Sequence, residues 1–421
     1  MGRTWEDVFM DTSDFVVEDV DFCDKYLVLT LRIGRKFKLC AVSLPLPDSK
    51  NPFNLKDLPH KILSLPNEVS KIGSGTNYDY HSSTMRYTIS SPVMPEAVVD
   101  YDLTNGKWSI VQQQNLLNDR TRILYGTSTS ANSKEKIMAP YPTEVAKPDN
   151  DNPWNELSEF YNCDHYEVPS SDGVCVHLTT VCSRKTATET PCLLHGHGAY
   201  GEALDKGWRI EHKSLLDRGW MIAFADVRGG GGQGKKWHYD GRGSKKLNSI
   251  NDYISCGKFL VKNGIADENK LCGWGYSAGG LLVASAINQC PNLFRAAVLK
   301  VPFLDPLNTL FHPRVPLTSA EYEEFGNPAD PDEFNNIFKY SPYEKIPHEI
   351  SFPAVMITSS FNTRFGIWEA AKWTARVRDR TIDDPNRPLL INWAPDVVEE
   401  SRYLDCTNSA TEAAFLVKMV E

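Results

Sequence analysis

The chain has 421 residues, with 54 acidic against 45 basic side chains and a formal charge of −9. No basic block forms a phosphate-binding stripe, so nucleic acid is not an expected partner. Nor does any run reach the roughly 20 apolar residues of a membrane span, so no membrane association is expected. The ten cysteines include no CxxC pair and no Cys/His cluster at zinc spacing. They read as reduced thiols, with no metal and no cofactor implied. Met1 to Asp7 show no basic start followed by an apolar stretch. The expected compartment is therefore intracellular, with the cytosol favoured and an upstream transit peptide still compatible.

Residues 1–150 read as all-β. Tyr26–Leu31 and Lys36–Val42 flank Ile33-Gly34-Arg35, a hairpin pattern, and Met85–Ser90 is a further short strand. Ala97–Leu103 and Lys107–Val111 flank Thr104-Asn105-Gly106, where Asn-Gly predicts a two-residue turn because both residues tolerate positive φ. Such strands suit a sandwich, barrel or propeller. A Pro-, Asn- and Asp-rich stretch ending at Asp149-Asn150-Asp151-Asn152-Pro153 marks the boundary of two domains, 1–150 and 151–421.

Beyond it, short apolar strands alternate with helical segments. Strands are expected at 174–181, 191–195, 221–227, 270–274, 296–301 and 353–358. Helices are expected from Lys206 to Asp217, over 249–260 and over 281–287. This alternation predicts an α/β fold with a mostly parallel sheet covered on both faces.

Gly275-Tyr276-Ser277-Ala278-Gly279 follows a strand and precedes an apolar helix. Small residues are needed there because a nucleophile elbow is a strained strand-to-helix turn. Ser277 is thus the candidate nucleophile, and the Ala278 N–H at the helix start the candidate oxyanion donor. The alternative is a glycine-rich packing turn with an incidental serine.

Gly196–Gly201, Val227–Gly231, Gly275–Leu281, Val301–Asp305, Glu321–Pro328 and Trp368–Trp373 together resemble, in order and spacing, the serine peptidases of the prolyl oligopeptidase family, and within it the oligopeptidase B-like branch. The resemblance covers nearly all of the chain beyond residue 160. It implies an α/β-hydrolase fold preceded by an incomplete β-propeller of about three blades, and hydrolysis of short peptides through Ser277. It further implies that His197 stands at the side-chain oxyanion donor position, that Asn362 occupies the triad aspartate position, and that Glu321 and Glu323 hold a basic substrate side chain. By the residues alone, His197 reads equally as a loop histidine, and the two glutamates as a solvated helix face. His195 reads as a core histidine, and Asp305, Arg228 and Arg364 as ion-pair or turn residues.

A serine nucleophile also needs a proton acceptor. The ten histidines end at His348, and the stretch Trp393–Tyr403 at the family's histidine loop has none. Asp396, Glu399 and Glu400 are the carboxylates in that stretch, and a carboxylate serves as base only where burial raises its pKa. Two functions follow: a serine-type oligopeptidase, or an inactive α/β-hydrolase scaffold binding a peptide or a protein partner.

Overall fold

The computed structural model describes residues 8–9, 15–47, 49, 51–66, 68–113, 154–185, 190–314, 318–359, 367–393 and 402–421. Two four-stranded antiparallel sheets come first. One is formed in sequence order by β1 (Val16–Phe22), β2 (Tyr26–Ile33), β3 (Lys36–Ser43) and β4 (His60–Leu63). The other is formed by β5 (Lys71–Ser74), β6 (Thr84–Ser91), β7 (Met94–Asp102) and β8 (Trp108–Gln113). Each strand pairs with its sequence neighbour, as the blades of a propeller do. Two such sheets lie among the described residues of the expected three-blade region, and 114–153 fall outside those residues.

The β2–β3 hairpin turns at Gly34 (φ 59°), as its sequence predicts. The β7–β8 turn is wider than the expected two residues. Asp102 accepts the Thr104 N–H at 2.9 Å, and Gly106 N–H bonds back to the Asp102 carbonyl at 2.8 Å. The aspartate side chain thus caps a longer loop, with only Gly106 at positive φ (71°).

The rest of the chain builds one eight-stranded sheet. Its elements are β9 (Tyr161–Pro169), β10 (Cys175–Ser183), β11 (Thr190–His195), α1 (Ile210–Leu216), β12 (Met221–Asp226), α2 (Lys235–Tyr239), α3 (Lys246–Lys262), β13 (Ala266–Tyr276) and α4 (Ala278–Gln289). They continue with β14 (Ala296–Lys300), α5 (Pro306–Phe311), α6 (Thr318–Phe325), α7 (Pro331–Tyr340), β15 (Ala354–Ser359), α8 (Ile367–Arg380), β16 (Leu389–Trp393) and α9 (Arg402–Val420). The strand order is β16-β15-β14-β13-β11-β12-β10-β9. All pairs from β12 to β16 are parallel, and β9 and β10 add an antiparallel edge. This is the α/β-hydrolase fold, with an incomplete propeller-like region before it.

One face of the sheet is covered by α3, α4 and α8, whose Ile250, Tyr253, Leu282, Val283 and Trp373 enter its core. The other is covered by α1 and α9 through Leu215, Leu216, Phe415 and Leu416. The helix expected from Lys206 starts only at Ile210. Its first residues are held extended because Gly207 N–H bonds to Asp205 Oδ1 (2.8 Å) and Trp208 N–H to Ser90 Oγ (2.9 Å) on the second blade. Arg32 of the first blade likewise donates to the Gly231 carbonyl at 2.5 Å. The connection after β11 runs to β12 on one side of it, and the connection after β12 crosses back to β13 on the other. The carboxyl ends of β11 and β13 therefore flank a topological switch point, where open α/β sheets bind ligands.

Candidate active site

Ser277 stands at that switch point, between the end of β13 and the first residue of α4. Its backbone has φ 53° and ψ −115°, strained for a residue with a side chain. Packing dictates the surrounding glycines. A Cβ on Gly275 would lie 2.1 Å from the Gly279 carbonyl oxygen, and one on Gly279 would lie 2.5 Å from that of Gly196. The turn is also held by hydrogen bonds. Ser277 N–H donates to the Lys300 carbonyl (2.9 Å), and the Ser277 carbonyl accepts from Gly280 N–H (2.9 Å) and Phe303 N–H (3.2 Å). The side chain is half-buried beside an exposed Tyr276.

Ala278 is the first residue of α4 and is buried. Its N–H belongs to the first helical turn, which has no intrahelical acceptor and carries the positive end of the dipole. The loop after β11 closes over the elbow, since a Cβ on Gly279 would approach His197 Cα to 3.4 Å. The His197 side chain is 17% exposed, with Nε2 3.5 Å from Glu202 Oε2. The imidazole beside it holds the Glu202 carboxyl below the usual range. The loop is anchored from beneath by Lys246, whose Nζ donates to the Gly198 carbonyl (2.8 Å) and to Glu324 (3.0 Å). Burial pushes the Lys246 pKa down, and the Glu324 carboxylate opposes that shift.

The two glutamates expected to act together part company. Residues two apart on a helix do not share a face. Glu321 is buried and accepts the Tyr200 hydroxyl at 3.0 Å, while Glu323 is 80% exposed in its side chain and pairs with Arg242 at 2.8 Å. Asn362 and Arg364, with the loop of Asp396, Glu399 and Glu400, lie outside the described residues. His312 and His348 are exposed. Among the described residues no imidazole is hydrogen-bonded to the Ser277 hydroxyl. Asp305 caps α5 and meets Lys372 at 2.5 Å, while Arg228 is clasped by Asp252 and Asp172.

His195 is buried on the α1 and α9 side, its ring packed on Trp274 (4.8 Å between centroids) and on His212 (5.1 Å). Burial lowers both imidazole pKa values, that of His212 to about 3. The pair lines a cavity of about 80 Å³ with Lys300 and Glu412. The sequence offered no signal for this cluster, nor for Phe303 as a donor to the elbow.

Residues 208–397 match the Prolyl oligopeptidase family. That region of the chain is of this family. It is 32% identical over 331 residues to Protease 2 of Moraxella lacunata, an alignment covering 77% of this chain and 46% of the relative. Its fold is similar to Oligopeptidase B from Leishmania major (TM-score 0.80, 25% identity), with 97% of this chain and 52% of the other covered. Prolyl oligopeptidase B from Galerina marginata, bound to a 35mer hydrolysis and macrocyclization substrate, shares the fold at TM-score 0.78 and 22% identity, with coverage of 99% and 52%. The chain thus spans about half the length of these relatives. Among the described residues, no helix is long and apolar enough to cross a membrane.

Proposed function

We propose that this chain is a serine-type oligopeptidase of the prolyl oligopeptidase family that hydrolyses short peptides through Ser277. The observation carrying this reading is the Ser277 backbone at φ 53°, a conformation whose cost is otherwise unexplained. The Ser277 hydroxyl attacks the scissile carbonyl, and the developing oxyanion is held by the Ala278 N–H and the His197 imidazole. A neutral imidazole supplies one such donor. The carboxylates that the sequence offers as proton acceptor are Asp396, Glu399 and Glu400, and the family resemblance puts Asn362 at the triad aspartate position. Glu321 is the substrate-side carboxylate. A basic side chain of the peptide would take the place of the Tyr200 hydroxyl beside it, with guanidinium geometry suited to the carboxylate. Glu323 adds charge at the outer rim, where Arg242 already compensates it.

A second reading, a peptide- or protein-binding scaffold without turnover, is favoured by the histidine distribution, which ends at His348. Without an imidazole base, the oxyanion hole and binding alone leave about 10³–10⁴-fold acceleration over water. Fluorophosphonate labelling separates the two. The oligopeptidase reading expects labelling that Ser277→Ala abolishes, along with cleavage of short peptides. A folded protein that neither labels nor cleaves supports the scaffold instead.

A further inference from the structure

We propose that Glu369 is a positioning residue for the nucleophile elbow, acting through the loop that joins β14 to α5. The proposal rests on the reading of Ser277 as nucleophile. Glu369 is in the first turn of α8 and is 1% exposed. Its Oε2 accepts two adjacent backbone N–H groups, Leu304 at 2.7 Å and Asp305 at 3.0 Å, and its Oε1 accepts the Thr309 hydroxyl at 2.5 Å.

The loop so gripped is the one that holds the serine. Phe303, next to Leu304, donates its N–H to the Ser277 carbonyl at 3.2 Å. Lys300 receives the Ser277 N–H at 2.9 Å. Pro302 lies so close that a Cβ on Gly280 would come within 2.5 Å of it. Between these contacts Val301 takes φ 47°, so the loop is bent against its own preference. Without an external hold such a turn relaxes, and the Ser277 carbonyl loses Phe303, its one donor from outside the elbow, keeping only Gly280 and Leu281 of its own helix. Lys372, one turn along the same helix, pairs with Asp305 at 2.5 Å and fixes the loop's far end.

A carboxyl is an expensive way to fill a buried site. Burial pushes the Glu369 carboxyl up to about 7, and the neighbouring Asp305 adds to the shift. An apolar side chain would fill the space at less cost but could not accept two adjacent amides. The group is therefore suited to directing backbone rather than to packing.

The test compares Glu369→Ala with Glu369→Gln. Glutamine keeps an oxygen for both amides and an NH₂ for the Thr309 hydroxyl, whereas alanine keeps neither. Hydrogen exchange is read over 275–281, at Phe303 and over α3, and fluorophosphonate labelling of Ser277 is timed in parallel. Glu369→Ala is expected to speed exchange at the elbow and Phe303 by about tenfold with α3 unchanged, and to slow labelling by about tenfold. Glu369→Gln is expected to restore both to within about twofold of wild type. Should the alanine variant not fold, Glu369→Asp, one methylene short of the amides, is read in its place. Unchanged exchange at the elbow, a uniform rise across the domain, or a glutamine variant as impaired as alanine would each overturn the proposal. A wild-type protein that does not label defeats the nucleophile reading alone, since exchange still decides whether Glu369 holds the turn.

Discussion

The elbow at Ser277 and the hairpin at Gly106 both turn the chain on glycine, for opposite reasons. At Gly106 a Cβ would meet nothing within 4 Å, and the requirement is a local φ of 71°. At Gly275 the added carbon would meet backbone at 2.1 Å, and the requirement comes from another part of the turn pressed against it. The same division runs through the two regions that contain them. The blades are sequential hairpins whose strands pair with their chain neighbours. The α/β sheet brings together strands separated by whole helices, so its site depends on contacts between distant segments. Local turns tolerate change, while a site assembled from afar transmits it.

The largest effect that tests this difference is expected at the elbow itself. Gly275→Ala should destabilise the α/β region by about 4 kcal/mol or more, because neither contacting group is a movable side-chain end. Gly106→Ala should cost only about 1 kcal/mol, the penalty of a left-handed residue in open space. Urea unfolding of the two variants reads both values, and comparable losses would break the comparison.

Ion pairs sharpen it next. Arg228 and Asp252 face each other at 2.6 Å with side chains 4% and 0% exposed, so Asp252→Asn leaves the buried guanidinium only the half-exposed Asp172 as counter-charge. Truncating one partner of such a pair costs about 3–5 kcal/mol. The Arg86–Asp100 pair between β6 and β7 is as short, at 2.7 Å, but its arginine is 44% exposed. Arg86→Met should leave the unfolding midpoint unchanged within error, since water replaces the lost partner. A midpoint shift as large as that of Asp252→Asn would contradict the contrast.

The smallest expected effect is a pH dependence. His195 and His212 are held neutral by burial, with folded pKa values below the roughly 6.5 of an unfolded histidine. Below that value the unfolded chain binds protons that the folded chain refuses. Their contribution to stability is therefore complete above about pH 6.5 and is lost as pH falls toward the folded value. Melting temperatures at pH 5, 6, 7 and 8 should fall on the acid side, and His212→Phe should make that fall shallower. An identical acid limb in the variant would remove these imidazoles from the account.

What the sequence determined alone was the part encoded by local spacing. The alternation of apolar strands with helical segments specified an α/β sheet. The glycines around Ser277 specified the elbow, because a strained turn admits few residue types and so marks itself in the chain. Gly34 marked its hairpin for the same reason. Tertiary structure decided everything that depends on a distant partner. Glu321 and Glu323 are equivalent as letters, and only the docking of α6 against Tyr200 buries one and leaves the other in solvent. Helix α1 is shortened by a serine of the second blade. The His195–His212 cluster exists because α1 and α9 close over the strand ends. Phe303 and Glu369 hold the elbow through backbone amides, which any residue supplies. A polar group's neighbours across the fold are set by how elements pack, and neither composition nor periodicity records that.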